Sequence, residues 1–185
     1  MRSLGAALGK GVLAGVAGTA AMDLLWYRRH RAEGGTSSFA SWEFQSDIDG
    51  FADAPAPARV GKIVAQKVHI DLPDRLAPLT NNVVHWSTGV SWGVAAAVLR
   101  PLPGVGAIRS GLLAGVAAWT TSYAVLPKLG VYKPITEYDP KTLWKDFSAH
   151  LVFGSAVGAT SLVLSGLSRV VSRRTRRGPA PASTR

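Results

Sequence analysis

The chain lacks cysteine altogether, and it is poor in charged residues, acidic ones above all. Without cysteine, disulfide bonds, thiolate nucleophiles and cysteine-ligated metals are excluded. Charged residues make up 17% of the 185 positions, against about 25% in an average soluble domain. Apolar residues reach 47%. This balance is typical of a membrane protein rather than of a soluble core.

Signatures of enzymes are also missing from the sequence. It contains no Gly-x-Ser-x-Gly, no phosphate-binding loop and no zinc-ligand spacing. Gly9-x-Gly11 and Gly104-x-Gly106 are fragments of a nucleotide motif without the strand that such a fold requires. We therefore expect a non-enzymatic protein with no metal and no cofactor.

Four long apolar segments predict an all-α fold. A spanning helix needs about 20 residues, and the segments cover residues 1–27, 83–102, 108–126 and 147–170. A signal peptide is the alternative for the first segment, but Asp23 and the residues after it offer no clean cleavage site. Aromatic residues lie mostly near the segment ends, as in an aromatic belt: Trp26, Tyr27, Trp86, Trp92, Trp119, Tyr123 and Trp144. We expect a four-helix transmembrane bundle.

The connections between these segments are unequal. Residues 28–82 form a long outer loop, residues 127–146 a shorter one, and residues 171–185 a basic, disordered cytoplasmic tail. Within the long loop, residues 58–70 predict a short amphipathic helix that lies on the membrane or on the bundle. A plain surface helix packed on its own loop is the alternative. Its apolar face would carry Val60, Ile63, Val64 and Val68, and its polar face Arg59, Lys62, Gln66 and His69.

Acidic residues in the same loop do not have the spacing of a calcium-binding loop, which needs a glutamate at its twelfth position. They are interpreted as a solvated loop surface: Glu43, Asp47, Asp49 and Asp53.

The first and second helices are similar to the third and fourth. Residues 11–17 read GVLAGVA and residues 111–117 read GLLAGVA, identical at six of seven positions. At an offset of 65, Asn81 and His85 correspond to Asp146 and His150. We therefore predict two copies of one helical hairpin. Because the first hairpin ends on the side where it began, the copies are parallel and related by a pseudo-twofold axis along the membrane normal.

Glycines at four-residue spacing recur in every segment. Such stripes let membrane helices approach closely, because close backbone contact rather than apolar burial joins helices in lipid. Helix packing is the predicted role, and a path for a substrate is the alternative. The glycines are Gly11, Gly15, Gly18, Gly89, Gly93, Gly111, Gly115, Gly154 and Gly158.

Polar residues within the apolar segments form a candidate cluster at one membrane side. Such groups are costly in lipid and usually face the bundle interior or a water-filled cavity. One interpretation is a hydrogen-bond network that sets helix register. A second is a proton-responsive or ligand-binding site, since histidine titrates near neutral pH. A third is metal or haem ligation by the two histidines, although no His-x-x-x-His or acidic ligand run accompanies them. The members are Asp23, Asn81, His85, Tyr123, Asp146 and His150.

The net charge of +10 is compatible with nucleic acid or with anionic lipid headgroups. Five arginines that follow directly on the last apolar segment favour headgroups, and no nucleic-acid motif accompanies them. They also favour cytoplasmic termini. Expected partners are therefore the lipid bilayer and its anionic headgroups, with a homodimer or a membrane complex as a further prediction. The arginines are Arg169, Arg173, Arg174, Arg176 and Arg177.

Short motifs from the second segment onward carry a resemblance to a known family. They are His85-Trp86 with Gly89, the stretch Leu126-Pro127-x-x-Gly130 with Pro134, and His150-Leu151-Val152. In these residues the chain resembles the YagU-like family of small bacterial inner-membrane proteins. The resemblance implies four helices, a long outer first loop, cytoplasmic termini and an association with survival in acid. We expect a structural or accessory inner-membrane protein, or alternatively a small transporter or proton-responsive protein that uses the His/Asp cluster.

Overall fold

The computed structural model describes residues 4–44 and 48–176, and within these ranges the chain is helical without strands. The all-α prediction is thereby confirmed. Three single 3₁₀ turns, Asp74–Leu76, Leu126–Leu129 and Ile135–Glu137, lie between the α-helices. The helices are α1 (Leu4–Ala32), α2 (Phe39–Glu43), α3 (Ala56–Lys67), α4 (Ala77–Leu99), α5 (Ala107–Val125) and α6 (Pro140–Arg176).

The long helices extend beyond the apolar segments that predicted them. α4 begins six residues before position 83 and α6 seven residues before position 147, in each case with a proline in the first turn, where its missing N–H costs nothing. Residues 171–176, predicted as part of a disordered tail, continue α6. Arginine is a good helix former, and basic side chains near a helix C-terminus complement the helix dipole. Residues 177–185 lie outside the described part.

The four long helices pack side by side. α1 contacts α4 and α6, and α5 contacts α6 and, less extensively, α4. Among these helices, α1 and residues Pro140–Ser168 of α6 are long and apolar enough to cross a membrane, whereas α4 and α5 do not reach that hydropathy.

Glycines lie at the closest approaches within both helix pairs. A Cβ atom built on Gly15 of α1 would lie 2.7 Å from the carbonyl oxygen of Gly89 in α4. A Cβ atom on Gly154 of α6 would lie 2.6 Å from the carbonyl oxygen of Gly111 in α5. No real Cβ is tolerated at such distances, so these backbone contacts require glycine. The same holds for Gly11 and Gly93 of the first pair and for Gly115 and Gly158 of the second.

Gly18 serves a different interface. A Cβ atom on Gly18 would lie 2.6 Å from Val157 and 2.9 Å from Phe153, both on α6. Because Val157 is fully buried and Phe153 is 3% exposed, this glycine makes room for two buried apolar side chains between α1 and α6.

The interior between the helices consists mostly of small side chains. Ala14, Ala96, Ala114 and Ala149 are at most 1% exposed, and Thr19, Ser110 and Ser165 are equally buried. Large apolar residues on the same helices point outward instead, among them Leu13, Leu24, Val83, Val98, Leu113, Leu162, Val163 and Leu167.

The long loop folds over one end of α4. Phe51, Ala54, Ala58 and Ala77 form a small core of their own. Helix α3 packs on α4 through small residues, with Gly61 against Thr80 and Val84. Val64 and Val68 of the predicted apolar face do not make this contact, since they are 56% and 60% exposed, whereas Val60 and Ile63 are half-buried. The small residues form the contact with α4 because they allow the two helix backbones to come closer than the valines could.

Candidate functional site

The first half of the polar cluster joins α1 to α4. Asp23 is 4% exposed, and its Oδ1 atom lies 2.8 Å from Nε2 of His85. The contact follows from the glycine register, because Gly15 and Gly89 set α1 against α4 near these residues, eight positions before Asp23 and four positions after His85. An ionised or hydrogen-bonded acid in this position is a strong link between helices.

The second half of the cluster belongs mainly to α6. Nδ1 of His150 lies 3.1 Å from the backbone oxygen of Asp146 and 3.6 Å from its Oδ1 atom, as expected for residues four apart on one helix. Tyr123 of α5 is buried and lies next to the Asp146 carboxylate. The imidazole of this half is therefore held within its own helix, and the neighbouring helix contributes a phenol.

Both imidazoles line one cavity between the four helices. The cavity has a volume of about 70 Å³, whereas about 10–15 Å³ suffices for one water molecule. Its walls are His85, Thr88, Gly89 and Trp92 of α4, Thr19 and Met22 of α1, Ala118 of α5, and His150 and Phe153 of α6. The structure thus brings together the two histidines that the sequence places 65 positions apart.

Several buried polar atoms of this cluster have no hydrogen-bond partner within the described ranges. They are Oδ2 of Asp23, Oδ1 of Asn81 and Oδ2 of Asp146, and outside the cluster Nε1 of Trp119 also has no partner there. Asn81 is 7% exposed and lies one turn before His85 on α4. Buried polar atoms are rarely unpaired in native proteins, so these atoms are natural hydrogen-bond partners for water or a small polar ligand, and the two carboxylate oxygens can also accept a proton.

Glu43 belongs to this site, and the interpretation of Glu43 as a solvated loop residue was wrong. It is 9% exposed, and its Oε1 atom accepts a hydrogen bond of 2.9 Å from Nε1 of Trp86. Burial raises the pKa of Glu43, and the nearby Asp23 carboxylate raises it further. Asp49 and Asp53 are exposed, as predicted, and Asp47 lies outside the described residues.

Helix α2 explains this difference. It is a five-residue helix that Ser38 begins by accepting a hydrogen bond from the backbone N–H of Ser41. The helix carries Glu43 against α4, and it places Phe39 and Trp42 in an aromatic cluster with Tyr27 of α1. No spacing rule links Glu43 to Trp86, since the contact crosses 43 positions. The capping serine was the one local signal of a helix at this point.

Arginines hold α6 at both ends of the helix assembly. At the end that carries the polar cluster, Arg29 of α1 donates to the Ser148 hydroxyl at 2.8 Å. At the other end, Arg100 donates to the hydroxyl of Ser165 at 2.6 Å. No motif in the sequence marks either arginine. Their role as links between helices depends on tertiary contacts.

The predicted headgroup-binding arginines fall outside what the structure describes. This applies to the whole of Arg177 and to the side chains of Arg169, Arg173, Arg174 and Arg176. In the described ranges, no group of three histidine or acidic residues has the proximity that would hold a metal ion. Comparison with known proteins adds no relative: no family model, no curated protein and no solved structure matches this chain.

Proposed function

We propose that the protein is a multi-pass integral membrane protein of structural or accessory, non-enzymatic role, with α1, α4, α5 and α6 crossing the bilayer. The direction of the side chains carries this proposal. Small residues are buried between the helices, whereas Leu13, Leu113 and Val163 are 55%, 51% and 61% exposed. In water this arrangement would forfeit the hydrophobic effect. In lipid, close packing of small residues is what joins helices.

The two most apolar helices support the same proposal. Only 28% and 33% of the apolar stretches of α1 and α6 are buried, whereas a core helix of a soluble protein is mostly buried. α4 and α5 are less apolar, and their inclusion rests on their packing against α1 and α6. Polar residues such as Asn81 of α4 and Ser110 of α5 are buried and thus face other helices.

A duplicated hairpin accounts for the glycine pairings that both helix pairs contain. Gly11 and Gly15 of α1 meet Gly93 and Gly89 of α4, and Gly111 and Gly115 of α5 meet Gly158 and Gly154 of α6. The same pairings thus occur in both helix pairs, whereas the closest approaches of the second pair are shifted by one turn, from Gly111 to Gly154 and from Gly115 to His150. The proposal therefore includes two parallel copies that face each other across the cavity. The Asp23–His85 contact then fixes the register of α1 against α4.

The resemblance to the YagU-like family leads to the same kind of protein, and we include in the proposal a bacterial inner membrane with both termini in the cytoplasm. The absence of cysteine makes this topology easy to test with single introduced thiols. Thr36→Cys and Thr136→Cys are expected to react with a membrane-impermeant maleimide in intact cells. Leu102→Cys, in the turn between α4 and α5, is expected to react only after permeabilisation.

Two results would contradict the proposal. One is release of the protein from membranes by alkaline carbonate without detergent. The other is labelling of Thr36→Cys and Thr136→Cys from opposite sides, since four crossings require both loops on one side.

A second candidate function is a proton response or small-molecule transport through the cavity. The observation that favours it is the pair of buried carboxylate oxygens, Oδ2 of Asp23 and Oδ2 of Asp146, without partners in the described part of the chain. Each lies in a carboxylate whose other oxygen is within 3.6 Å of an imidazole. Two carboxylate–imidazole pairs that open on one cavity are suited to accepting and releasing protons.

Thermal stability and ion flux separate the two functions. His85→Asn and His150→Asn are compared in detergent for stability and in liposomes for flux under a pH gradient. The structural role is favoured if the two variants are less stable than the wild type and the wild type itself shows no flux. Wild-type flux that both variants abolish favours the second candidate. His69→Asn is the matched control, because His69 is exposed and asparagine tolerates its positive φ of 60°.

A further inference from the structure

A groove outside the four long helices is lined by two cationic side chains of α3. It has a volume of about 430 Å³, within the range of about 300–1,000 Å³ for small-molecule sites. Its walls come from the loop around Phe51, from one face of α3 and from residues 129–131. The polar face that the sequence predicted for α3 therefore lines this groove, with Arg59, Lys62 and Gln66 side by side.

Both cations are held in position by the fold. Arg59 donates a hydrogen bond of 2.9 Å to the carbonyl oxygen of Gly130, a residue whose left-handed φ of +67° suits glycine. The Lys62 ammonium lies 4.7 Å from the centre of the Phe51 ring, at a cation–π distance. Phe51 is itself 4% exposed. The charges are thus oriented towards the groove before any ligand arrives.

The carboxylate of Asp74 marks where an oxyanion fits. Its Oδ1 atom lies 3.4 Å from the backbone nitrogen of Phe51 and 3.5 Å from Nζ of Lys62. Both distances are long for hydrogen bonds, and the Asp74 side chain is 65% exposed. An exposed ion pair of this kind contributes little to stability. An external anion can therefore replace this carboxylate at small cost.

We propose that this groove binds a phosphate group, seated between the Lys62 ammonium and the Phe51 amide where the Asp74 carboxylate now lies. Arg59 provides the second cation, and the Gln66 amide, one turn further along α3, provides a further donor. Guanidinium, ammonium and backbone N–H are the usual partners of phosphate oxygens. The volume exceeds that of a bare ion and admits the organic part of a phosphoester or of a phospholipid headgroup.

The test uses the full chain and two probes at constant ionic strength. Glycerol 3-phosphate is titrated onto the protein in detergent, and phosphatidylglycerol is compared with phosphatidylcholine in nanodiscs. Lys62→Gln is expected to weaken binding about tenfold, as for the loss of one charged hydrogen bond. Asp74→Asn is expected to tighten it, because the competing carboxylate is gone. Lys67→Gln, which removes an exposed cation from the same helix outside the groove, is expected to bind like the wild type.

The outcomes decide both the proposal and the source of the phosphate. Binding of glycerol 3-phosphate with this pattern of variants assigns a soluble phosphoester, and a response to phosphatidylglycerol alone with the same pattern assigns a headgroup. Binding of neither probe overturns the proposal, as do equal losses in Lys62→Gln and Lys67→Gln. The gain expected for Asp74→Asn cannot arise from a damaged fold, and its absence counts against the site. None of these outcomes depends on how many helices cross a membrane.

Discussion

Nε2 of His85 on α4 lies 2.8 Å from Oδ1 of Asp23 on α1, so that one polar contact spans the interface of two helices. The corresponding histidine, His150, has its acidic neighbour Asp146 on its own helix, with 3.6 Å between Nδ1 and Oδ1. Both helix pairs meet through glycines, and they differ in their polar contacts. This difference makes the two halves of the site separable by mutation.

The two histidines are expected to differ in their effect on stability. His85→Asn leaves a carboxylate that is 4% exposed without its partner, and we expect a loss of about 1–3 kcal/mol in unfolding free energy. His150→Asn removes contacts within one helix and should cost less. Unfolding in detergent at pH 7 measures both. A larger loss for His150→Asn would show that the contact between α1 and α4 is not the stabilising one.

Glycines at helix contacts are expected to differ from glycines on the helix surface. In Gly15→Ala the new Cβ would lie 2.7 Å from the backbone of α4, so the helices must separate, at a cost of about 1–3 kcal/mol. Gly9→Ala on the same helix meets nothing within 4 Å. Gly9→Ala is the control, and we expect its unfolding free energy to be unchanged or higher by up to about 1 kcal/mol, because alanine has the greater helix propensity. Thermal unfolding of both variants in one detergent gives the comparison, and equal stabilities would exclude tight packing at Gly15.

The duplicated hairpin makes a prediction about matched pairs of variants. Gly11→Ala and Gly111→Ala occupy corresponding positions, and in each the Cβ would meet the backbone of the partner helix. We expect similar losses of stability, of about 1–3 kcal/mol each. Gly166→Ala, which meets nothing within 4 Å, is the control. A loss confined to one of the two variants would mean that the pairs α1–α4 and α5–α6 do not pack alike.

Glu43 is expected to make stability depend on pH. Because burial and the Asp23 carboxylate raise its pKa in the folded state, the folded chain binds more protons than the unfolded chain above the ordinary glutamate pKa of about 4.3. The unfolding free energy therefore falls as pH rises from that value through the raised pKa.

Glu43→Gln removes this dependence and keeps an oxygen that can accept from Trp86. The stability of Glu43→Gln minus that of the wild type is thus expected to increase across the same pH range and to level off above it. Unfolding curves at a series of pH values supply this difference. A difference that stays constant would mean that Glu43 is solvated in the folded protein.

Arg100 is expected to contribute to stability and Arg109 is not. Arg100 donates to the buried hydroxyl of Ser165 at 2.6 Å, and Arg100→Gln should cost about 1–2 kcal/mol. The Arg109 guanidinium makes an exposed contact to the carbonyl of Gly104, so Arg109→Gln should be near neutral. Both variants remove one positive charge near the same turn. Equal effects would therefore point to charge rather than to the link between α4 and α6.

Local sequence patterns predicted the structure well where only one type of residue can make the contact. Glycine at four-residue spacing is such a pattern, because only a residue without Cβ allows the contact between Gly15 and Gly89. Helix ends were harder to predict from hydropathy. The first turns of α4 and α6 lie outside the apolar segments, and a proline near the start, rather than apolar content, marks them.

In the long loop, local sequence patterns did not predict the contacts. Glu43 and Trp86 meet because α2 packs against α4. The sequence between the two residues has no periodicity that predicts this contact. The spacing of the α3 valines predicted an apolar face towards the membrane or the bundle, and it did not show that the smaller residues Ala58 and Gly61 would make the contact with α4.

From the sequence alone follow the all-helical fold, the long apolar helices and the positions of the glycines and of the buried acids and histidines. These features depend on helix propensity and on the periodicity of the helix, and both can be read from residues that are close together in the chain. Only the tertiary structure decided that His85 pairs with Asp23, that His150 faces the same cavity, and that Glu43 is buried beside them. Such contacts join residues far apart in the chain, and their distances depend on how closely whole helices pack.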